Sequence, residues 1–108
     1  MRTLTHAEWK AEGAHRFGDD INNWRFICPS CGHIASVADY RALGASPGAI
    51  AFSCIGRFTD APHEAFAGPG TGPCNYAGGG LFAINPVTVV YSDGKEMNVF
   101  EFAEAAHG

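Results

Sequence analysis

Cys28-Pro29-Ser30-Cys31-Gly32-His33 is the stretch whose reading decides the fold. Two thiols separated by two residues can hold one metal ion together, because the turn between them aims both sulfurs to one side. Pro29 fixes φ directly after the first thiol, and Gly32 lets the chain reverse after the second at low steric cost. Trp24-Arg25-Phe26-Ile27 leads into the turn as a strand, and Ile34 to Val37 leads out of it as another. Together they form a cysteine-tipped hairpin of the zinc-ribbon or zinc-knuckle kind.

Half a site needs a second half. Cys54-Ile55-Gly56-Arg57 reads as a degenerate second knuckle, with a glycine placed to turn the backbone but no second cysteine. The next thiol is Cys74. The pattern predicts one structural Zn2+ ion held by Cys28, Cys31, Cys54 and Cys74. His33 and His63 are candidate substitute ligands; if one cysteine stayed free, a three-ligand site open to water would follow.

The chain has 108 residues, 7 basic and 11 acidic, for a net charge of −4. That length predicts a single zinc-binding domain over residues 1–108, with a modest core that gains from a metal staple. The acidic balance argues against non-specific binding to phosphate backbones, whose affinity comes from lysine and arginine. No apolar run reaches the roughly 18 residues of a membrane span, and residues 1–10 lack the apolar core of a signal peptide. A cytoplasmic setting is therefore expected, where thiols stay reduced and four cysteines are better read as metal ligands than as disulfides.

Around the hairpin, local signals place the other elements. Thr5 and Glu8 form a capping box, which predicts a helix from His6 to Arg16 that stops at Gly18. At about 100° per residue, Leu4, Ala7, Ala11 and Ala14 share a narrow apolar arc and Trp9 falls outside it. Trp9 then either packs on a neighbouring loop or docks a partner. Ser36 and Asp39 cap a short helix through Leu43, ended by Gly44. Ala49 to Ser53 reads as extended, Leu81 to Ile84 as a strand, and Asn85-Pro86 as a turn. Val87 to Tyr91 is the best strand in the chain. Asp93-Gly94 predicts a type I′ hairpin turn, with Lys95 to Phe100 returning antiparallel in a register the apolar pattern leaves open. Phe102 to His107 reads as a frayed end or a short helix. The sum is a small zinc-stabilised α+β domain: an N-terminal helix, the cysteine-tipped hairpin and a C-terminal β-hairpin.

Two catalytic or ligand-binding readings were open and fail on pattern. Gly68, Gly70, Gly72, Gly78, Gly79 and Gly80 make a glycine-rich loop over residues 68–80, but no strand, helix and lysine-serine sequence frames it as a phosphate loop. The loop reads instead as a wrap around the metal site. His63-Glu64 has the residue types of a zinc deaminase, but that signature spaces them by one residue and places a Pro-Cys-x-x-Cys after them. Here Pro73-Cys74 lacks its second cysteine.

The run Trp24 to His33, with Cys54-Ile55-Gly56-Arg57, Cys74-Asn75-Tyr76, Gly79-Gly80-Leu81-Phe82 and Asn85-Pro86-Val87, resembles a family of small four-cysteine proteins encoded by tailed phages and prophages. The resemblance runs from Thr3 to about Phe102. It implies that the four cysteines belong to one shared pattern and that the setting is the cytoplasm of a bacterial host; it implies no biochemical activity. Three function classes follow. The favoured one is a non-enzymatic accessory module that binds another protein, such as a host factor, with Trp9 and Arg57 as candidate contacts. The second is nucleic-acid binding through Arg25, Arg41, Arg57 and Lys95, interleaved with Trp24, Phe26 and Phe58. The third is a small-ligand binder or hydrolytic zinc enzyme built on the glycine loop and His63.

Overall fold

The computed structural model describes residues 2–60, 62–66 and 72–103. Its first element is a strand the sequence reading missed, β1 (Arg2–Thr5). Thr5 ends β1 and starts helix α1 (His6–Phe17): its hydroxyl accepts from the Glu8 N–H at 3.1 Å, and the Glu8 carboxylate accepts from the Thr5 N–H at 2.8 Å. Gly18 ends the helix with φ +90 and donates its N–H to the Ala14 carbonyl. Only part of the expected arc packs: Leu4 and Ala14 lie against the core, and the covered face is wider than the arc. Ala7 and Ala11 are exposed, whereas Gly13 is buried and Trp9 and Phe17 are half-buried. The core supplies large rings, and a ring can seat on the helix only where a residue is small. The six-membered ring of Trp24 lies so close to Gly13 that an added Cβ would sit 2.5 Å from it.

Two three-stranded sheets carry the rest. The first has the order β1–β4–β5, where β4 is Val87–Val90 and β5 is Glu96–Val99. β1 runs parallel to β4, pairing Arg2 with Val87 and Thr5 with Val90, and β4 runs antiparallel to β5, pairing Val87 with Val99 and Val90 with Glu96. This register buries Val87, Val89 and Val99 on one face, with Leu4 and Met97 packed against them. The hairpin is closed by three residues, Ser92-Asp93-Gly94, and not by the two-residue type I′ turn expected. The Tyr91 N–H donates to the Lys95 carbonyl at 2.8 Å, the Gly94 N–H donates back to Tyr91 at 2.9 Å, and Gly94 alone takes positive φ (+86). That is a type I turn followed by a left-handed glycine.

The second sheet has the order β3–β2–β6, with β2 Arg25–Ile27, β3 Ile34–Ser36 and β6 Glu101–Phe102. β6 corrects the reading of the C-terminal stretch: Phe102 pairs with Phe26 in antiparallel strands, while residues 104–108 lie outside the described part of the chain. Helix α2 (Val37–Ala42) follows β3 directly, capped reciprocally by Ser36 and Asp39 as expected.

Two further expectations fail. Ala49 to Ser53 is a 3-10 turn (Pro47–Ala49) running into tight turns with Ala51 at φ +60, because Ser53 and Phe52 both donate back to the Ala49 carbonyl. Leu81 to Ile84 is not a strand. It pairs with no described strand and is exposed, with Leu81 and Phe82 in a turn.

The core joins the sheets through aromatic rings. Phe102 stacks on Phe26 at 5.1 Å and on Trp9 at 5.6 Å, and meets Trp24 edge-on at 6.0 Å. Trp9, in turn, packs against the valines of the first sheet. The ring placed off the apolar arc is therefore a core bridge between the two sheets. No described helix is long and apolar enough to cross a membrane.

Candidate metal centre

Three chain segments converge on one point. The first is the turn between β2 and β3. The Cys28 N–H donates to the His33 carbonyl at 3.0 Å and the Gly32 N–H donates to the Cys28 carbonyl at 2.9 Å, with Gly32 at φ +77. The His33 N–H then points at the Cys31 sulfur, 3.4 Å away. The second segment starts at Cys54, which precedes a 3-10 turn (Ile55–Phe58). The third carries Cys74, whose neighbours pair with His63 in a parallel bridge; the Tyr76 N–H lies 3.4 Å from the Cys74 sulfur.

The last two segments are locked together. The Cys54 N–H donates to the Tyr76 carbonyl at 2.9 Å. Gly56 lies so close to Cys74 that a Cβ would come within 2.1 Å of its carbonyl oxygen. The glycine of the second knuckle is thus required by close approach, where the sequence reading asked it only to turn.

The four sulfurs all lie within 4.8 Å of one another. Cys28 and Cys74 are separated by 3.9 Å, and Cys31 and Cys54 by 3.8 Å. A tetrahedral ion with metal–sulfur bonds of about 2.3 Å spaces its sulfurs by about 3.8 Å, so the residues fit a single four-thiolate ion. All four are free cysteines; Cys28, Cys54 and Cys74 are buried and Cys31 is half-buried.

The buried thiols titrate against one another. Hydrogen bonding to Cys54 and burial push the Cys28 thiol far above its ordinary range, whereas donation from Cys28 pulls Cys54 down to about 5. Burial raises Cys74 to about 11. Crowded thiols cannot all ionise against one another, and a bound cation reverses that logic by deprotonating its ligands outright. A tetrahedral ion held by all four has no position left for water.

The other residues singled out in the sequence fall elsewhere. His63 is spent on backbone: its ring nitrogens lie 3.2 Å from the Glu64 carbonyl and 3.0 Å from that of Gly72. His33 contributes its backbone to the first turn, and neither histidine belongs to the four-sulfur group. Arg57 is exposed and donates to the Asn75 carbonyl at 3.2 Å, which ties the knuckle after Cys54 to the residue after Cys74. Trp24 and Phe26 are buried, so they have no face to offer a nucleic-acid base. Arg25 lies over the Phe17 ring, and Lys95 pairs with Asp93 at the far hairpin. Of the glycine-rich loop, residues 67–71 lie outside the described part.

The sequence reading missed the polar frame behind the cysteines. The buried Tyr76 hydroxyl donates to the Asn85 side-chain oxygen at 3.0 Å and accepts from the Ile84 N–H at 2.7 Å. The Asn85 amide donates to the carbonyls of Phe52 and Asn98, and Ser53 accepts from the Gly78 N–H. Asn85 read as half of a turn with Pro86; its signal was that of a buried amide, which local pattern does not give.

Fold and site together define a small α+β domain whose four clustered cysteines can hold a metal ion. The chain belongs to the VVA0879-like family, whose model matches residues 5–103. No curated protein and no solved structure matches it.

Proposed function

We propose that the four cysteines hold one structural zinc ion and that the domain they fix works by binding another protein. Zinc is favoured over other ions because four thiolates in tetrahedral spacing suit a soft-accepting d10 ion that needs no open position. Mononuclear iron suits the same geometry, and elemental analysis separates the two.

The observation that carries the interaction reading is the loop after Tyr76. Leu81 is 91% exposed and Phe82 is 72% exposed. Their loop is anchored at both ends on the Tyr76–Asn85–Ser53 frame, which starts at Tyr76, the residue whose N–H points at the Cys74 sulfur. Two adjacent large apolar side chains presented to water from a fixed base are a contact surface for a partner. Leu81 and Phe82 thus replace Trp9, which is spent in the core, as the residues expected to meet it.

The resemblance to phage- and prophage-encoded proteins supports a bacterial host protein, met in the cytoplasm, as the partner. The test is affinity capture from bacterial lysate with the wild-type chain and with a Leu81→Ser/Phe82→Ser variant that melts like it. A partner retained stoichiometrically by the wild type and lost by the variant supports the reading. Equal capture by both, or none, overturns it.

A further inference from the structure

We infer that the cavity between the two sheets is a binding site for a small anionic molecule with a single ring or a short branched chain. It encloses about 240 Å3. Its lining comes from both sheets, from α1 and α2 and from the turns before Cys54, and includes Trp9, Trp24, Val89, Met97, Ile50 and Arg41. None of the cysteines lines it, so it is separate from the metal centre.

Size sets the first limit on the occupant. An apolar cavity of about 150 Å3 accommodates benzene, so this one takes a ring and a short chain but not a nucleotide. Chemistry sets the second. The walls are apolar and aromatic, which suits a hydrocarbon body.

The guanidinium of the exposed lining residue Arg41 meets a neutral acceptor, the Asn22 side-chain oxygen, and forms no ion pair among the described residues. An unneutralised guanidinium beside an apolar cavity is matched by a carboxylate, which it can bind through two parallel N–H donors. Trp9, another lining residue, carries an unmet donor. Its indole nitrogen is the one buried side-chain polar atom without a hydrogen-bond partner among the described residues, and such a donor is costly to leave unmet.

Trp9 and Trp24 both face the cavity, so their fluorescence reports its occupancy. The experiment titrates the zinc-loaded protein with 3-phenylpropionate and, separately, with the uncharged 3-phenylpropionamide, and repeats both on Arg41→Gln. Arg41 is exposed, so this variant keeps the fold, and its melting curve checks that. The expected result is a saturable fluorescence change with the acid, accompanied by a rise in melting temperature. Affinity should fall by about tenfold or more for the amide and for Arg41→Gln, the scale of a charge-assisted bidentate contact. The absence of a saturable change with the acid up to about 10 mM, the weakest binding worth calling specific, overturns the inference. So does equal affinity for acid and amide, or for wild type and Arg41→Gln.

Discussion

Gly56 rests directly on Cys74: a Cβ at position 56 would stand 2.1 Å from the Cys74 carbonyl oxygen and 2.9 Å from its amide nitrogen. Two segments far apart in sequence are thereby pressed together, so that Cys54 and Cys74 reach the same four-sulfur cluster. The obstacle is backbone, which cannot rotate aside as a side-chain end can. Gly56→Ala should therefore separate the two ligand segments. The expected loss is about 2–4 kcal/mol of stability, at the upper end of single-site effects, together with weaker metal retention against a chelator. A thermal melt and a zinc-competition titration on the same variant check both.

Gly13 offers the opposite of the usual helix rule. Alanine in place of glycine inside an exposed helix gains up to about 1 kcal/mol. Here the new methyl group would enter the Trp24 ring, 2.5 Å from its nearest atom, and overpacking costs about 1–3 kcal/mol. Gly13→Ala should lower the melting temperature despite better helix propensity. The nearby Ala11 is exposed, and Ala11→Gly should cost only the propensity difference. Denaturant melts of the pair decide whether packing or propensity rules this helix.

Arg2 joins three elements through charge. It donates to Glu101 of β6 at 2.9 Å and to Glu12 of α1 at 2.8 Å, and Arg16 adds a contact to Glu12 at 3.1 Å. The Arg2 hydrogen bonds hold the Glu12 carboxyl below its ordinary value of 4.5. A depressed folded-state value means that Glu12 contributes stability above its unfolded pKa, and that this contribution disappears as pH falls through the folded one. The wild type should be more stable than Glu12→Gln by a constant margin at neutral pH, and the margin should shrink progressively below about pH 4.5. Both side chains are partly exposed, so the margin should also fall with added salt. Paired denaturant titrations across pH measure it.

The exposed apolar pair predicts a separation of stability from function. Leu81→Ser/Phe82→Ser removes little buried area, so stability should stay within about 0.5 kcal/mol of wild type. Tyr76→Phe, by contrast, leaves the Ile84 N–H and the buried Asn85 side chain without their hydroxyl partner. It should cost about 1–3 kcal/mol. Melts of the two variants side by side test whether the loop's anchor and its tip are energetically distinct.

What could be read from the sequence was what short-range chemistry encodes. Both capping boxes formed, because Thr5–Glu8 and Ser36–Asp39 need only three residues of spacing. The Cys28–Cys31 turn and the Val87–Val99 hairpin followed from local turn residues and β-branching. The failures share a different cause. β1 is a strand only because β4, at the far end of the chain, lies beside it, and no window around Arg2–Thr5 contains that partner. β6 exists because Phe102 meets Phe26. Leu81–Ile84 has the residue types of a strand but pairs with no described strand. The helix face was only half legible: Leu4 and Ala14 pack as the arc implied, but Ala7 and Ala11 are exposed, and Trp9, Phe17 and the Gly13–Trp24 contact set the rest of the covered face. The convergence of Cys54 and Cys74 on the first turn was expected from chemistry; the means, Gly56 against Cys74 and the Tyr76–Asn85 frame, depends on tertiary contacts.

The proposed zinc ion bears on the whole fold. Structural zinc in small domains is worth on the order of 10 kcal/mol or more, against about 5–15 kcal/mol for the net stability of a whole domain. Its removal should unfold much of the chain, and Cys28→Ser or Cys31→Ser should abolish the cooperative melt. The most direct measurement is native mass spectrometry of the freshly purified wild-type chain, before and after chelation. The account predicts one zinc ion per chain in the compact charge states, with a shift to extended charge states when the zinc is removed. A metal-free chain that gives the same compact charge states would contradict it.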